Sequence, residues 1–134
     1  MLPLVTFPDV ELVTTAYLRT ALAARPEACA TGVKVGTRTP NPRPARLITI
    51  RRDGGPRLDV AREAARIGVN VWAATEQDVS DLANLVRALL WSAPNGAPIC
   101  KVTELTGPTP VVDASATPLR YMTFELLCRG SDLT

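Results

Sequence analysis

The side chains best equipped for recognition in this chain are its arginines. Thirteen of its fifteen cations are arginine, and nine cationic residues (Lys34, Arg38, Arg43, Arg46, Arg51, Arg52, Arg57, Arg62 and Arg66) fall in one stretch against three acids, Asp53, Asp59 and Glu63. A guanidinium is a planar, permanently charged fork that matches carboxylate or phosphate oxygens two at a time. The stretch carries +6, whereas residues 1–33 carry −1 and residues 67–134 carry −3. A subunit charged in this way can complement copies of itself or an acidic partner; the plainer alternative is a solvated face.

Chemistry that makes or breaks bonds has little to work with. There is no histidine, which removes the commonest general base, the commonest zinc ligand and every Ser-His or Cys-His pair. The acidic residues form no D-x-D or E-x-x-E cluster, and Cys29, Cys100 and Cys128 lie far apart without a C-x-x-C. Cys100 and Cys128 read as small core residues. Gly54-Gly55 is followed by Pro56, and neither glycine-rich phosphate-binding pattern occurs. These patterns point away from an enzyme, a cofactor or a metal and toward a protein that docks onto other macromolecules.

Three features are candidates for contact. Pro40, Pro42 and Pro44 bracket Asn41 and Arg43 and restrict each preceding residue to extended backbone, so Pro40 to Arg46 is expected to be a preorganised arm flanked by Arg38 and ending at Arg46. Arg51-Arg52-Asp53-Gly54-Gly55-Pro56-Arg57 reads as a turn after a strand. Its three arginines would be costly to bury unpaired and are expected to project toward a neighbour, nucleic acid or solvent. Trp91 lies off the buried stripe of its helix, about 140° from Val86 at about 100° per residue. It is either an interface anchor or a helix-end residue covered by a loop.

These residues need a scaffold, and 134 residues with 46% hydrophobic and 21% charged side chains are enough for a single domain, 1–134, with a buried core. No apolar run reaches the length of about 20 residues that crosses a bilayer, and Met1-Leu2-Pro3-Leu4-Val5 lacks the basic start of a signal peptide. The protein is expected to be made and kept inside a cell, without a membrane partner.

The periodicities give the order α-β-β-β-α-β-β. The first helix is expected to begin at Pro8, with Asp9 and Glu11 at its positive end, and to stop before Pro26. Val10, Val13, Tyr17, Leu18, Ala21 and Leu22 form its inner stripe, with Glu11, Thr15 and Arg19 outside. A short strand at Val33–Gly36 precedes the arm. The strand Leu47–Arg52 turns Ile48 and Ile50 one way and Leu47, Thr49 and Arg51 the other, and Asp53–Pro56 marks the turn.

The bridge Asp59–Ala65 stays open between strand continuation, bulge and helical turn, with its charges exposed. A third strand runs over Arg66–Ala73. Thr75 caps a second helix whose stripe is Val79, Leu82, Ala83, Val86, Leu89, Leu90 and Ala93, and Pro94-Asn95-Gly96 ends it. Two last strands, Ile99–Thr106 and Leu119–Arg129, are joined by the loop 107–118. Met122, Phe124, Leu126 and Cys128 face the helices. The mixed outer face and Trp72 imply that a loop or a neighbouring subunit partly covers the second side of the sheet. The expected fold class is α+β, two helices packed on one face of a mostly antiparallel four- to five-stranded sheet.

In order and spacing the chain resembles the tail terminator proteins of long-tailed (siphovirus-type) bacteriophages of actinobacteria. The matching features are Phe7-Pro8-Asp9-Val10-Glu11 opening a helix, Val35-Gly36-Thr37 followed by Pro40-Asn41-Pro42-Arg43-Pro44, and Arg51 to Arg57. Val71-Trp72-Ala73, a helix with Asp78, Leu82, Ala83 and Leu85, and a final Arg120-Tyr121 strand complete the series. The resemblance extends from about Phe7 to Gly130; Asp59 to Arg66 has no counterpart in it.

It implies a non-enzymatic virion protein without cofactor that assembles with itself as a ring, usually a hexamer, at the head-proximal end of the tail. There such proteins stop polymerisation of the major tail tube protein and present a surface to the head-completion or stopper protein, and phage DNA passes transiently through the ring. The implied location is the head-tail joint of a virion assembled in the host cytoplasm. Two other readings are a different head-tail connector component, such as a stopper or minor capsid protein, and a nucleic-acid-binding module. Against the last, none of the six aromatic residues interleaves with the arginines.

Overall fold

The longest run of strict alternation, Leu119–Arg129, becomes a strand whose Met122, Phe124, Leu126 and Cys128 are buried while the residues between them are half-exposed. In the computed structural model, which describes residues 1–95 and 98–133, the elements run β1 (Val5–Thr6), α1 (Val10–Ala23), a 3-10 turn (Ala28–Ala30), β2 (Lys34–Gly36), β3 (Leu47–Arg52) and β4 (Arg62–Trp72). They continue with α2 (Glu76–Trp91), β5 (Ile99–Pro110), β6 (Leu119–Arg129) and β7 (Ser131–Asp132).

Five strands form one sheet in the order β2-β3-β4-β6-β5, and β1 pairs with β7 in a separate two-stranded ribbon. The sheet is mixed. β2 lies parallel to β3, and every other neighbour is antiparallel. The parallel pair needs the chain to travel back along the sheet between its strands, which is the work of residues 37–46.

The core lies between the sheet and the helices. Leu18 and Leu22 of α1, Val79, Leu82, Val86 and Leu90 of α2, and the inward residues of β3, β4 and β6 belong to one buried cluster. Ile48, Ile50, Ile67, Val69, Leu82, Leu90, Met122, Phe124 and Leu126 in it are fully buried. Thr75 caps α2 by accepting from the Asp78 N–H at 3.1 Å. Ser92 closes the helix; Gly96, expected as part of its stop, lies outside the described residues.

Several expectations from sequence are corrected. α1 starts at Val10, not Pro8, because Asp9 acts as its N-cap and accepts from the N–H groups of Glu11 (3.0 Å) and Leu12 (3.2 Å), satisfying two donors that otherwise lack partners. Thr15, expected outside, is buried, and its hydroxyl donates to the Leu12 carbonyl at 3.1 Å. That bond lets a threonine sit against the core. β5 continues past Thr106 to Pro110, with register shifts along its pairing with β6. As an edge strand it tolerates Pro108 and Pro110, whose missing donors would break a central ladder.

The largest correction concerns Asp53–Arg66. Gly54-Gly55 is not the tip of the hairpin. The Asp53 N–H donates to Arg66, Arg66 to Gly54 and Ala64 to Pro56, and Arg57 bridges Glu63, so pairing continues past the glycines. The reversal comes at Asp59–Ala61, where one Asp59 oxygen accepts from the N–H groups of Ala61 (3.0 Å) and Arg62 (2.8 Å). The ambiguous bridge is thus partly turn and partly strand, and Glu63, expected exposed, is buried.

Both glycines hold left-handed backbone, φ 92° at Gly54 and 97° at Gly55. A Cβ at Gly55 would collide with the Ala64 carbonyl oxygen and come within 2.7 Å of the Arg66 nitrogen, whereas one at Gly54 meets nothing within 4 Å. Gly55→Ala is expected to destabilise the fold by about 2–3 kcal/mol and Gly54→Ala by about 1 kcal/mol. Urea unfolding of the two variants checks the difference, and equal losses would contradict the close approach at Gly55.

Candidate interaction surface

The side of the sheet away from the helices is built by registered rows. Leu47, Trp72 and Leu119 stand side by side on β3, β4 and β6; Thr49, Asn70 and Tyr121 follow, and then Arg51, Gly68 and Thr123. The first row is apolar and forms a small buried cluster of its own. The arm supplies its cover. The Arg43 guanidinium stands 5.5 Å from the centre of the Trp72 ring, and its Nη2 donates to the hydroxyls of Ser115 (2.6 Å) and Thr117 (2.7 Å), with Asp113 at 3.5 Å. The Asp113 carboxyl is held below the usual carboxylate range, first by hydrogen bonds from Ser115 and then by Arg43. The partial cover expected over Trp72 therefore comes from a loop of the same chain.

Arg46 ends the arm with a two-pronged pair to Asp78 (2.8 and 3.1 Å) and a third bond to the Thr31 carbonyl at 2.8 Å. The hydrogen bonds to Asp78 raise its pKa further. Pro40, Asn41 and Pro42 are exposed just ahead of these ties, so the arm is a strap tethered at its C-terminal end.

The arginines of Arg51–Arg57 separate into different roles. Arg52 forks onto Glu63 at 3.1 and 3.0 Å, while its backbone N–H is taken by Glu11 at 2.7 Å. Arg57 donates to the carbonyls of Asp59 (3.0 Å) and Val60 (2.7 Å) and lies 5.0 Å from the centre of the Phe7 ring, which ties the hairpin tip to the chain before α1. Arg51 alone of the three makes no hydrogen bond or ion pair among the described residues. At the tip Arg62 pairs with Asp59 at 2.8 Å, and this hydrogen bond is the first cause that lowers the Asp59 pKa.

Much of the charge contrast seen in sequence is therefore satisfied within the chain. Arg43, Arg46, Arg52 and Arg62 face Asp113, Asp78, Glu63 and Asp59. Lys34, Arg38, Arg51 and Arg66 have no ion-pair partner among the described residues. Two of them, Arg38 and Arg51, share a polar notch of about 600 Å³ with Thr37, Thr39, Thr49, Asn70, Trp72 and Glu11.

Trp91 sits at the end of α2, 52% exposed, with its indole N–H donating at 3.3 Å to Glu104, which also receives Arg87 at 2.5 and 2.7 Å. Its edge is fixed and much of its surface is open. One surface escaped the sequence reading: the exposed Met1, Leu2, Leu4, Leu58 and Leu133 line a shallow groove of about 630 Å³. The apolar start of the chain was its only signal. Of the thiols, Cys29 and Cys128 are buried and Cys100 half-buried; burial pushes the Cys128 pKa up to about 11, which keeps it protonated and inert at neutral pH.

No family model matches the chain, and no curated protein matches it. Among solved structures it is similar to a chain described as "Virion of native gene transfer agent (GTA) particle". The identity is 16%, the TM-score 0.53, and the match covers 87% of this chain and 92% of that one. At this identity the likeness is one of fold.

Two predictions follow from the division between paired and unpaired arginines. Arg52→Ala leaves the buried Glu63 carboxylate without its fork and is expected to cost about 2–3 kcal/mol, less than a fully buried pair because Arg52 is partly solvated. Arg51→Ala is expected to stay within about 0.5 kcal/mol. Chemical denaturation compares the two, and equal effects would refute the assignment. In a Trp91→Phe background, Arg43→Ala is expected to shift Trp72 fluorescence to the red. The lowered Asp113 pKa means that its contribution to the strap is complete above about pH 4 and lost as pH falls through the lowered value. The red shift should therefore appear in the Arg43-containing protein only on acidification.

Proposed function

We propose that this chain is a structural virion protein, and specifically a tail terminator. It assembles as a ring, a hexamer, on the head-proximal end of the tail tube, halts polymerisation of the tube protein and offers the surface to which the head-completion protein joins. The observation that carries this reading is the fold shared with a chain of a gene transfer agent virion over nearly the full length of both. The order of motifs that resembles the phage tail terminators supports the finer role.

The residues proposed for subunit and partner contacts are those the monomer leaves exposed: Arg38, Pro40, Asn41, Pro42, Arg51, Trp91 and Arg57, the last with its guanidinium engaged by backbone carbonyls. Arg43, Arg46 and Arg52 shape these surfaces from within the chain. In this role the protein is not an enzyme, and DNA only passes through its ring. A free-standing nucleic-acid binder is the weaker reading, because the cations that would track a phosphate backbone are largely engaged by the chain's own carboxylates and carbonyls.

Native mass spectrometry of the purified protein, alone and with assembled tail tubes of the same virion at low and high salt, tests the proposal. The expected species is a hexamer, formed in solution or on tube ends. A chain that stays monomeric on assembled tubes and leaves their length unchanged would overturn it.

A further inference from the structure

The notch holding Arg38 and Arg51 is made by the ending of a strand. β2 stops at Gly36 opposite Thr49, so β3 has no strand partner on that side from Ile50 to Arg52. Glu11 takes the backbone N–H of Arg52 at 2.7 Å, and the remaining space is lined mostly by donors. Arg38 and Arg51 are exposed, and their guanidiniums have no acceptor among the described residues.

Below them are two polar side chains more than nine-tenths buried. Thr49 is 3% exposed and lines the notch, while Trp72 is 7% exposed and its indole N–H has no acceptor among the described residues. Buried donors are almost always satisfied. The unpartnered Trp72 N–H beside two cations without an acceptor among the described residues leaves this notch short of acceptors.

We propose that this notch is a receptor for a carboxylate side chain of a neighbouring protein. Arginine forks donate to carboxylate and phosphate alike, and the surrounding charges decide between them. Glu11 forms part of the wall, and Asp53 stands one row along, hydrogen-bonded by the Tyr121 hydroxyl at 3.4 Å and lying close over Gly68, the β4 partner of Arg51. A single carboxylate meets the two guanidiniums between these acids. A string of phosphates would run against both acids. The site rests on this geometry alone and holds whether or not the chain caps a tail tube.

The test is ¹⁵N NMR of the full chain, following the Trp72 indole N–H, identified by its persistence in Trp91→Phe, and the Arg38 and Arg51 Nε–H signals. The probes are a blocked Gly-Asp-Glu-Asp-Gly peptide, its Gly-Asn-Gln-Asn-Gly counterpart and a short DNA duplex. The acidic peptide is expected to give saturable shifts confined to the notch, weakened at least tenfold in Arg38→Gln/Arg51→Gln and reduced in Thr49→Val, each variant keeping the wild-type spectrum elsewhere. Absent shifts, equal shifts with the amide peptide, or shifts that survive the double substitution would overturn the proposal. Tighter binding of the duplex at the same signals would overturn it in favour of phosphate.

Discussion

The pairing of β4 with β3 along one edge and β6 along the other fixes where every other element can lie, because a strand laddered on both sides has no freedom of register. A shift of one residue would turn Ile67, Val69 and Val71 out of the core and bring Gly68, Asn70 and Trp72 in. That choice also sets the outer rows. It puts Trp72 between Leu47 and Leu119 and creates an apolar patch that needs covering, and it puts Arg51 beside Gly68, whose missing side chain leaves room for Tyr121 and Asp53.

The arginines solve two problems of this scaffold. A buried carboxylate is expensive, and Glu63 is tolerable in β4 because Arg52 donates to it from both terminal nitrogens. A loop crossing an apolar row must be held without a core of its own. Arg43 and Arg46 do that by reaching Asp113, Ser115, Thr117 and Asp78 on elements distant in sequence. Their contribution is positional as much as energetic, since part-exposed ion pairs stabilise little while a planar fork restricts geometry.

What this internal pairing leaves open defines the surface available to other molecules: the notch with its two unpaired guanidiniums, the fixed but exposed Trp91 and the apolar groove formed by the termini and the hairpin tip. They lie on separate elements. A chain with several distinct unsatisfied surfaces is suited to meeting different neighbours.

The sequence by itself determined the α+β class, the main strands and α2, because hydrophobic periodicity is a local signal that backbone geometry converts directly into a buried face. The alternation of β6 and the Thr75 cap of α2 were legible for this reason. The fate of each charge was not. Arg51 and Arg52 are neighbours of the same type, yet one has no ion-pair partner among the described residues and the other engages Glu63, since a guanidinium's partner depends on which distant carboxylate the register brings within about 3 Å. The glycine pair misled for a similar reason. A positive φ serves a turn and a close backbone approach equally, and only the ladder from Asp53 to Arg66 decided that Gly55 serves the latter. Long-range pairing likewise converted the proline arm into a strap: proline restricts local backbone, while the side-chain anchors of Arg43 and Arg46 lie 32 to 74 residues further along the chain.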